Sequence, residues 1–95
     1  MSMDTNPHMI IPDEMRERYL ERRFQDLRIC DLKLKNQDWV YFERLGHQLK
    51  GNAASYGYND LESIALQLET SALNQDLKNL EGSVHAFRRW ISGHQ

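Results

Sequence analysis

The residue of this 95-residue chain best placed to do chemistry is His47, which lies in a stretch of helical periodicity. Leu45 and Leu49 are four residues apart and therefore share one helical face. His47 is two residues from each, so it points roughly 160° away from that apolar face. Histidine titrates near neutral pH, and its neutral form keeps a free ring nitrogen. The spacing therefore predicts an exposed, nucleophilic imidazole that another molecule can reach.

The residues one turn after His47 favour the transfer of a phosphoryl group. Gly51 lies at i+4, where it removes a side chain that would shield the ring, and a helical glycine normally has a packing or functional reason. Lys50 lies at i+3 and can place its ammonium beside an anion on the imidazole. These features suit phosphoryl transfer, in which positioning and charge stabilisation supply most of the catalysis. The alternative from these residues alone is an ordinary surface histidine beside a weak point of the helix.

A longer pattern around the histidine carries a family resemblance. His-x-Leu-Lys-Gly-x5-Gly, formed by His47, Leu49, Lys50, Gly51 and Gly57, resembles the signature of histidine-containing phosphotransfer (HPt) domains. Such domains are four-helix bundles that shuttle a phosphoryl group between aspartates of receiver domains in multistep phosphorelays. The likeness covers about the last eighty residues, since the flanking predicted helices also fit in length and order.

The resemblance implies roles for the residues around the histidine. His47 would be phosphorylated, Lys50 would help to balance the charge of phosphohistidine, and Gly51 would allow close contact with the partner. Glu69, on the third predicted helix, occupies the position of a polar residue that stands near the active histidine in the family, with a solvent-exposed glutamate as the alternative. The residues expected to support the site or dock the partner are Glu43, Arg44, Gln48, Ala54, Gly57 and Glu69.

The implied partners are response-regulator receiver domains, with a hybrid histidine kinase as a further candidate. Mg2+ is expected in the acidic pocket of the receiver, so neither an intrinsic cofactor nor a metal site is predicted in this chain. Glu43 and His47 have i, i+4 spacing, but two ligands do not close a metal site. No Gly-rich phosphate loop follows a strand, which argues against ATP binding and kinase activity. The alternative function is a helical adaptor that binds a receiver or other signalling protein without carrying phosphate.

Length and composition predict a small module without a strong surface field. Ninety-five residues allow one domain with one modest core, and a formal net charge of −2 gives no reason to expect nucleic acid. The single cysteine, Cys30, excludes an internal disulfide and fits a reducing compartment. The sequence lacks a signal-peptide run and an apolar segment of membrane length, so a cytoplasmic domain that does not bind membranes is expected.

Two features of organisation follow from the same residues. A monomer is expected, because both faces of the helix that carries His47 already have uses. A stand-alone protein is favoured slightly over a module of a larger hybrid sensor kinase, and the donor, the acceptor and the direction of phosphate flow are left open.

Four amphipathic segments must position His47, and their apolar repeats predict an all-α, antiparallel up-down four-helix bundle over residues 12–95. Residues 1–11 form a predicted tail, in which Met9, Ile10 and Ile11 leave open a short ordered segment docked on the bundle. Each helix is predicted to bury one stripe. In chain order the stripes are Leu20, Phe24, Leu27, Cys30 and Leu34; Trp39, Phe42, Leu45, Leu49 and Ala53; Leu61, Ile64, Ala65, Leu68 and Ala72; and Leu77, Leu80, Val84, Phe87 and Ile91.

Local signals predict where these helices begin and end. Pro12 suits a first helical position, and Asp38 suits the N-cap of the second helix. Asn59 or Asp60 is expected to cap the third helix, and Asn59 and Glu62 have the spacing of a capping box. The second helix is expected to end near Gly57 in a left-handed conformation.

Three further predictions concern the surfaces of the helices. Gly46, beside Leu45, is interpreted as a point of close helix packing. The side of the first helix opposite its apolar stripe is expected to be solvated and carries Arg16, Arg18, Arg22, Asp26 and Lys33. Arg88, Arg89 and Trp90 form a short basic and aromatic group near the end of the last helix. Contact with a partner is one interpretation of it, and ordinary compensation of the helix dipole by the charges is the favoured one.

Overall fold

The computed structural model describes residues 11–94, and this part of the chain is helical without a strand. Its elements are α1 (Asp13–Lys35), α2 (Trp39–Asn52), a short 3-10 turn (Ala54–Tyr56), α3 (Asn59–Leu73) and α4 (Leu77–Ser92). The all-α prediction is therefore confirmed. Met9 and Ile10 lie outside the described residues, whereas Ile11 is half-buried.

The four helices pack in a ring around one core. α2 packs on α3, α3 on α4, and α4 on α1. Three-residue connectors return the chain between α1 and α2 and between α3 and α4, which makes each pair an antiparallel hairpin. No helix within residues 11–94 combines the length and the apolar character needed to span a membrane. The largest fully buried side chains are Phe42, Phe87, Leu49, Leu61, Leu68, Leu80 and Cys30.

The two hairpin connectors, 36–38 and 74–76, have the same sequence, Asn-Gln-Asp, and the same geometry. In both, the glutamine adopts a left-handed φ of 50°. Its N–H donates to the carbonyl three residues earlier, while the aspartate N–H donates to the carbonyl five residues earlier. This pair of bonds closes a helix in the Schellman manner. The aspartate side chain then accepts a 3.1 Å hydrogen bond from a backbone N–H in the next helix, which confirms Asp38 as an N-cap.

The inner face of α1 differs from its predicted stripe. Phe24 is 39% exposed, whereas Arg23 is only 8% exposed, so the prediction of a buried Phe24 is wrong. Arg23 Nε donates to Asp26 Oδ2 at 2.8 Å, and its guanidinium lies 4.5 Å from the centroid of the Tyr19 ring. The arginine can be buried because these two neighbours on its own helix satisfy its charge. The same contact leaves Asp26 half-buried instead of solvated.

Helix ends differ from the predictions by a few residues. α1 begins just after Pro12, which occupies the cap position without a side-chain bond. The capping-box prediction for α3 is wrong: Asn59 is the first helical residue, and Tyr58, whose ring packs in an aromatic cluster, stands at the cap. The α-helical part of α2 ends at Asn52, and the 3-10 turn carries the chain on to Gly57, whose φ of 84° is left-handed as predicted.

Trp90 lies in the core, unlike Arg88 and Arg89, its two basic neighbours in sequence. The residue is 6% exposed, and its ring stacks on that of His94 with the ring centroids 4.0 Å apart. Tyr58 meets the indole edge-on at 5.1 Å. Arg88, by contrast, is exposed and pairs with Asp31, which ties α4 to α1 across the surface.

Candidate functional site

His47 projects from the outer face of α2. Leu45 and Leu49, two residues to either side, are buried in the core. The imidazole is consequently 74% exposed, in agreement with the helical spacing. The fold thus holds the backbone of this residue firmly while leaving its ring accessible to a second macromolecule.

Glu69 of α3 contacts the side chains of both His47 and Lys50 of α2. Its Oε2 accepts a hydrogen bond from His47 Nδ1 at 3.0 Å, and its Oε1 accepts one from Lys50 Nζ at 2.7 Å. The Glu69 side chain is only 12% exposed, so the carboxylate sits at the edge of the α2–α3 contact. The hydrogen bond from Lys50, followed by that from His47, holds the pKa of Glu69 below its usual 4.5 despite the opposing effect of burial.

The ionised state of Glu69 decides which nitrogen of His47 is free. A carboxylate can only accept hydrogen bonds, so His47 Nδ1 must carry the hydrogen in the 3.0 Å contact. In a neutral imidazole the lone pair then lies on Nε2. The arrangement therefore leaves the free lone pair on Nε2, the ring nitrogen that does not contact Glu69.

Gly46, immediately before the histidine, lies against the backbone of α3. A Cβ built at this position would lie 2.6 Å from both the Ala65 carbonyl oxygen and the Glu69 backbone nitrogen, and 2.9 Å from the Glu69 Cβ. Contacts under 3.0 Å essentially never occur for a real Cβ. The interpretation of Gly46 as a point of close helix packing is borne out.

An open depression of about 350 Å³ surrounds the histidine. Its lining combines His47 and Glu69 with three of the residues expected to dock a partner, Glu43, Arg44 and Gln48. Gly51 is exposed one turn further along α2, and a Cβ there would meet nothing within 4 Å. This glycine therefore has no packing requirement within the described structure.

Ala54 and Gly57 do not join that depression. They line a second one of about 280 Å³, which also includes Ile11 and Arg16. Because the 3-10 turn follows directly from the end of α2, this second depression lies on the continuation of the helix beyond Gly51. The predicted docking residues thus fall into two neighbouring groups.

Sequence reasoning placed Glu69 near the histidine but missed its simultaneous bond to Lys50. Lys50 and His47 are three residues apart on α2, so both can reach one acceptor on α3, and that spacing is the signal that could have shown it. Among residues 11–94, no group of three or more His, Cys, Asp and Glu side chains could hold a metal ion.

An all-α bundle with a solvent-facing histidine, whose ring is oriented by an acidic residue of the neighbouring helix, has the architecture of a histidine phosphotransfer module. A family model described as the Hpt domain matches residues 14–93, which include all four helices except the first residue of α1. Neither a curated protein nor a solved structure matches the chain significantly. The chain belongs to the Hpt domain family, whose members serve histidine phosphotransfer in phosphorelay signalling and interact with receiver domains of response regulators.

Proposed function

We propose that this protein is a phosphorelay carrier that accepts a phosphoryl group on His47 Nε2 from a receiver-domain aspartate and passes it to another receiver. The observation that carries this proposal is the bond from His47 Nδ1 to the Glu69 carboxylate, which leaves the lone pair on Nε2 of a ring that is 74% exposed. Both a fixed tautomer and an accessible ring are needed by a nucleophile that meets its substrate on another protein.

The transfer step needs only groups that the two proteins supply. The Nε2 lone pair attacks phosphorus in line with the P–O bond of the aspartyl phosphate, a P–N bond forms, and the bonding electron pair leaves with the aspartate carboxylate. His47 keeps its Nδ1 proton, so the phosphorylated ring carries a positive charge next to the Glu69 carboxylate. Glu69 thereby stabilises charge that develops during the transfer. Transfer to a second receiver is the same reaction in reverse.

The two cations near His47 have different surroundings. Lys50 is bound to Glu69, on the α3 side of the ring. At 100° per residue, positions i+3 and i−3 fall about 60° to opposite sides of residue i, so Arg44 lies on the side away from Lys50. Lys50 keeps Glu69 ionised and supplies positive charge beside the phosphorylated ring, whereas Arg44 and Gln48 line the depression around His47 on the side of α2 away from Lys50. We assign Arg44 and Gln48 to contact with the docked receiver.

The receiver is expected to supply the divalent cation. Mg2+ in its acidic pocket would offset the charge of the phosphoryl oxygens, while this chain contributes the nucleophile and a docking surface. On this proposal the protein is a carrier without kinase activity of its own. We place the exchange in the cytoplasm, which suits a chain whose single cysteine, Cys30, is a free buried thiol.

A transfer assay tests the proposal directly. Phosphorylated receiver domains are mixed with the wild-type protein, His47→Gln or His85→Gln in the presence of Mg2+, and His85 serves as the control because it is an exposed histidine of α4. We expect acid-labile, alkali-stable label on the wild type and on His85→Gln, and none on His47→Gln. A receiver that binds wild type and His47→Gln equally tightly, without transferring phosphate to either, would replace the carrier by an adaptor.

A further inference from the structure

We propose that Gly46 is a positioning residue for the reaction: its missing side chain lets α3 bring Glu69 close enough to fix the tautomer of His47. The effect on phosphoryl transfer rests on the proposed function. The positioning itself concerns the unphosphorylated protein and can be measured without any partner.

The first step of the argument is that the contact at Gly46 cannot be relieved by a side-chain rotation. The atoms nearest to a built Cβ are the carbonyl oxygen of Ala65 and the backbone nitrogen of Glu69, each at 2.6 Å. Both belong to the backbone of α3, whose hydrogen-bonded turns move as a unit. A methyl group at residue 46 would therefore push α3 away until these distances approach the 3.4 Å of ordinary contact.

The second step is that this displacement acts on the residue that binds the imidazole. One of the two backbone atoms in contact belongs to Glu69 itself. The His47 Nδ1 to Glu69 Oε2 distance is 3.0 Å, and a shift that restores normal contact at residue 46 carries it out of hydrogen-bonding range. Lys50 has a long flexible side chain that can follow the carboxylate, so its ion pair survives while the bond to the ring is lost.

The third step concerns the chemistry of the ring. Free neutral histidine in water favours the tautomer with its hydrogen on Nε2, which is the opposite of the arrangement imposed by Glu69. A hydrogen bond to a charged acceptor is strong enough to change such a ratio about tenfold or more. When that bond is lost, Nε2 is protonated in most molecules and can no longer attack phosphorus.

The experiment compares Gly46→Ala with Gly82→Ala, a matched control in the interior of α4 where a Cβ meets nothing within 4 Å. Long-range 1H–15N spectra of the imidazoles, recorded where the rings are neutral and assigned with His47→Gln, report which nitrogen of His47 carries hydrogen. We expect Nδ1–H in the wild type and Gly82→Ala, and predominantly Nε2–H in Gly46→Ala. The rate of phosphoryl acceptance should fall several-fold in Gly46→Ala, in proportion to the fraction of rings that keep a free Nε2 lone pair, and stay unchanged in Gly82→Ala.

Each outcome decides between the alternatives. A folded Gly46→Ala protein that keeps Nδ1–H would overturn the proposal. If Gly46→Ala is too unstable to fold, the double variant Gly46→Ala/Gly82→Ala recovers part of the lost stability and is measured instead. Failure of the single and the double variant to fold would overturn the proposal and assign Gly46 a structural role only. A wild-type protein that accepts no phosphate but shows the tautomer exchange on substitution would reject the proposed function while leaving the positioning role intact.

Discussion

Replacing Gly51 by alanine should make the protein more stable and less active at once. A Cβ at this position meets nothing within 4 Å, so the methyl group costs no packing. Alanine is better than glycine inside a helix by roughly 0.5–1 kcal/mol. Because Gly51 lies in the last turn of α2, we take the lower value, about 0.5 kcal/mol, which corresponds to a rise in Tm of roughly 2–4 °C for a domain of this size.

The effect on phosphoryl transfer should have the opposite sign. Gly51 lies one turn after His47 on the exposed side of α2, where a partner must approach the ring. An added methyl group in a closely packed contact costs about 1–3 kcal/mol, so kcat/KM for a phosphorylated receiver should fall between about fivefold and 150-fold. Gly51→Leu should reduce it further.

The assay pairs urea denaturation with single-turnover transfer for Gly51→Ala, Gly51→Leu and the control Gly82→Ala. The control should gain stability without losing transfer, since Gly82 is also an open helical position and lies on α4, away from the histidine. Wild-type kcat/KM in both Gly51 variants would show that no partner comes close to this residue, and the reasoning from its exposure would then fail.

Three further predictions test other parts of the structure. Asp76→Ala removes the side-chain cap of α4 and should lower the free energy of unfolding by about 1 kcal/mol in urea titrations, whereas Glu81→Ala at an exposed position of the same helix should change it little. Because the pKa of Glu69 is held below its usual 4.5, its carboxylate contributes stability that is fully present above that pH and is lost as the pH falls through the lowered pKa. The difference in stability between the wild type and Glu69→Gln should therefore shrink in acid, and a difference that grows there would contradict the assigned ion pair. Burial raises the pKa of the Cys30 thiol to about 12, so a disulfide reagent should modify it only as fast as the protein unfolds; rapid modification of the native protein would show that the thiol is accessible.

The apolar periodicity predicted the helices better than it predicted which faces of α1 are buried. Every helix was found, because repeated three- and four-residue steps of apolar residues are a strong signal. Phe24 was misplaced because a hydrophobic pattern takes no account of an arginine that is satisfied on its own helix, as Arg23 is by Asp26 and Tyr19. The burial of Trp90 was not predicted, because its contact with Tyr58 joins distant parts of the chain.

The site could be predicted in its parts but not in its connections. Exposure of His47 follows from helical geometry, and Glu69 could be placed at the edge of its stripe. The shared hydrogen bonding of His47 and Lys50 to one carboxylate depends on the distance and rotation between α2 and α3, which no periodicity within one helix specifies. Gly46 was the visible sign of that close contact, and its link to Glu69 required the packed structure.

The repeated Asn-Gln-Asp connectors divide the described chain into two hairpins with the same kind of corner. Each corner is built from local bonds, so each hairpin has the means to turn without help from the other. His47 belongs to the first hairpin and Glu69 to the second. The position of the hydrogen on the imidazole is therefore a property of their assembly. Separated hairpins would keep the histidine and the carboxylate but lose the contact that holds the hydrogen on Nδ1. The ring nitrogens of His47 would thus report whether the two hairpins have joined.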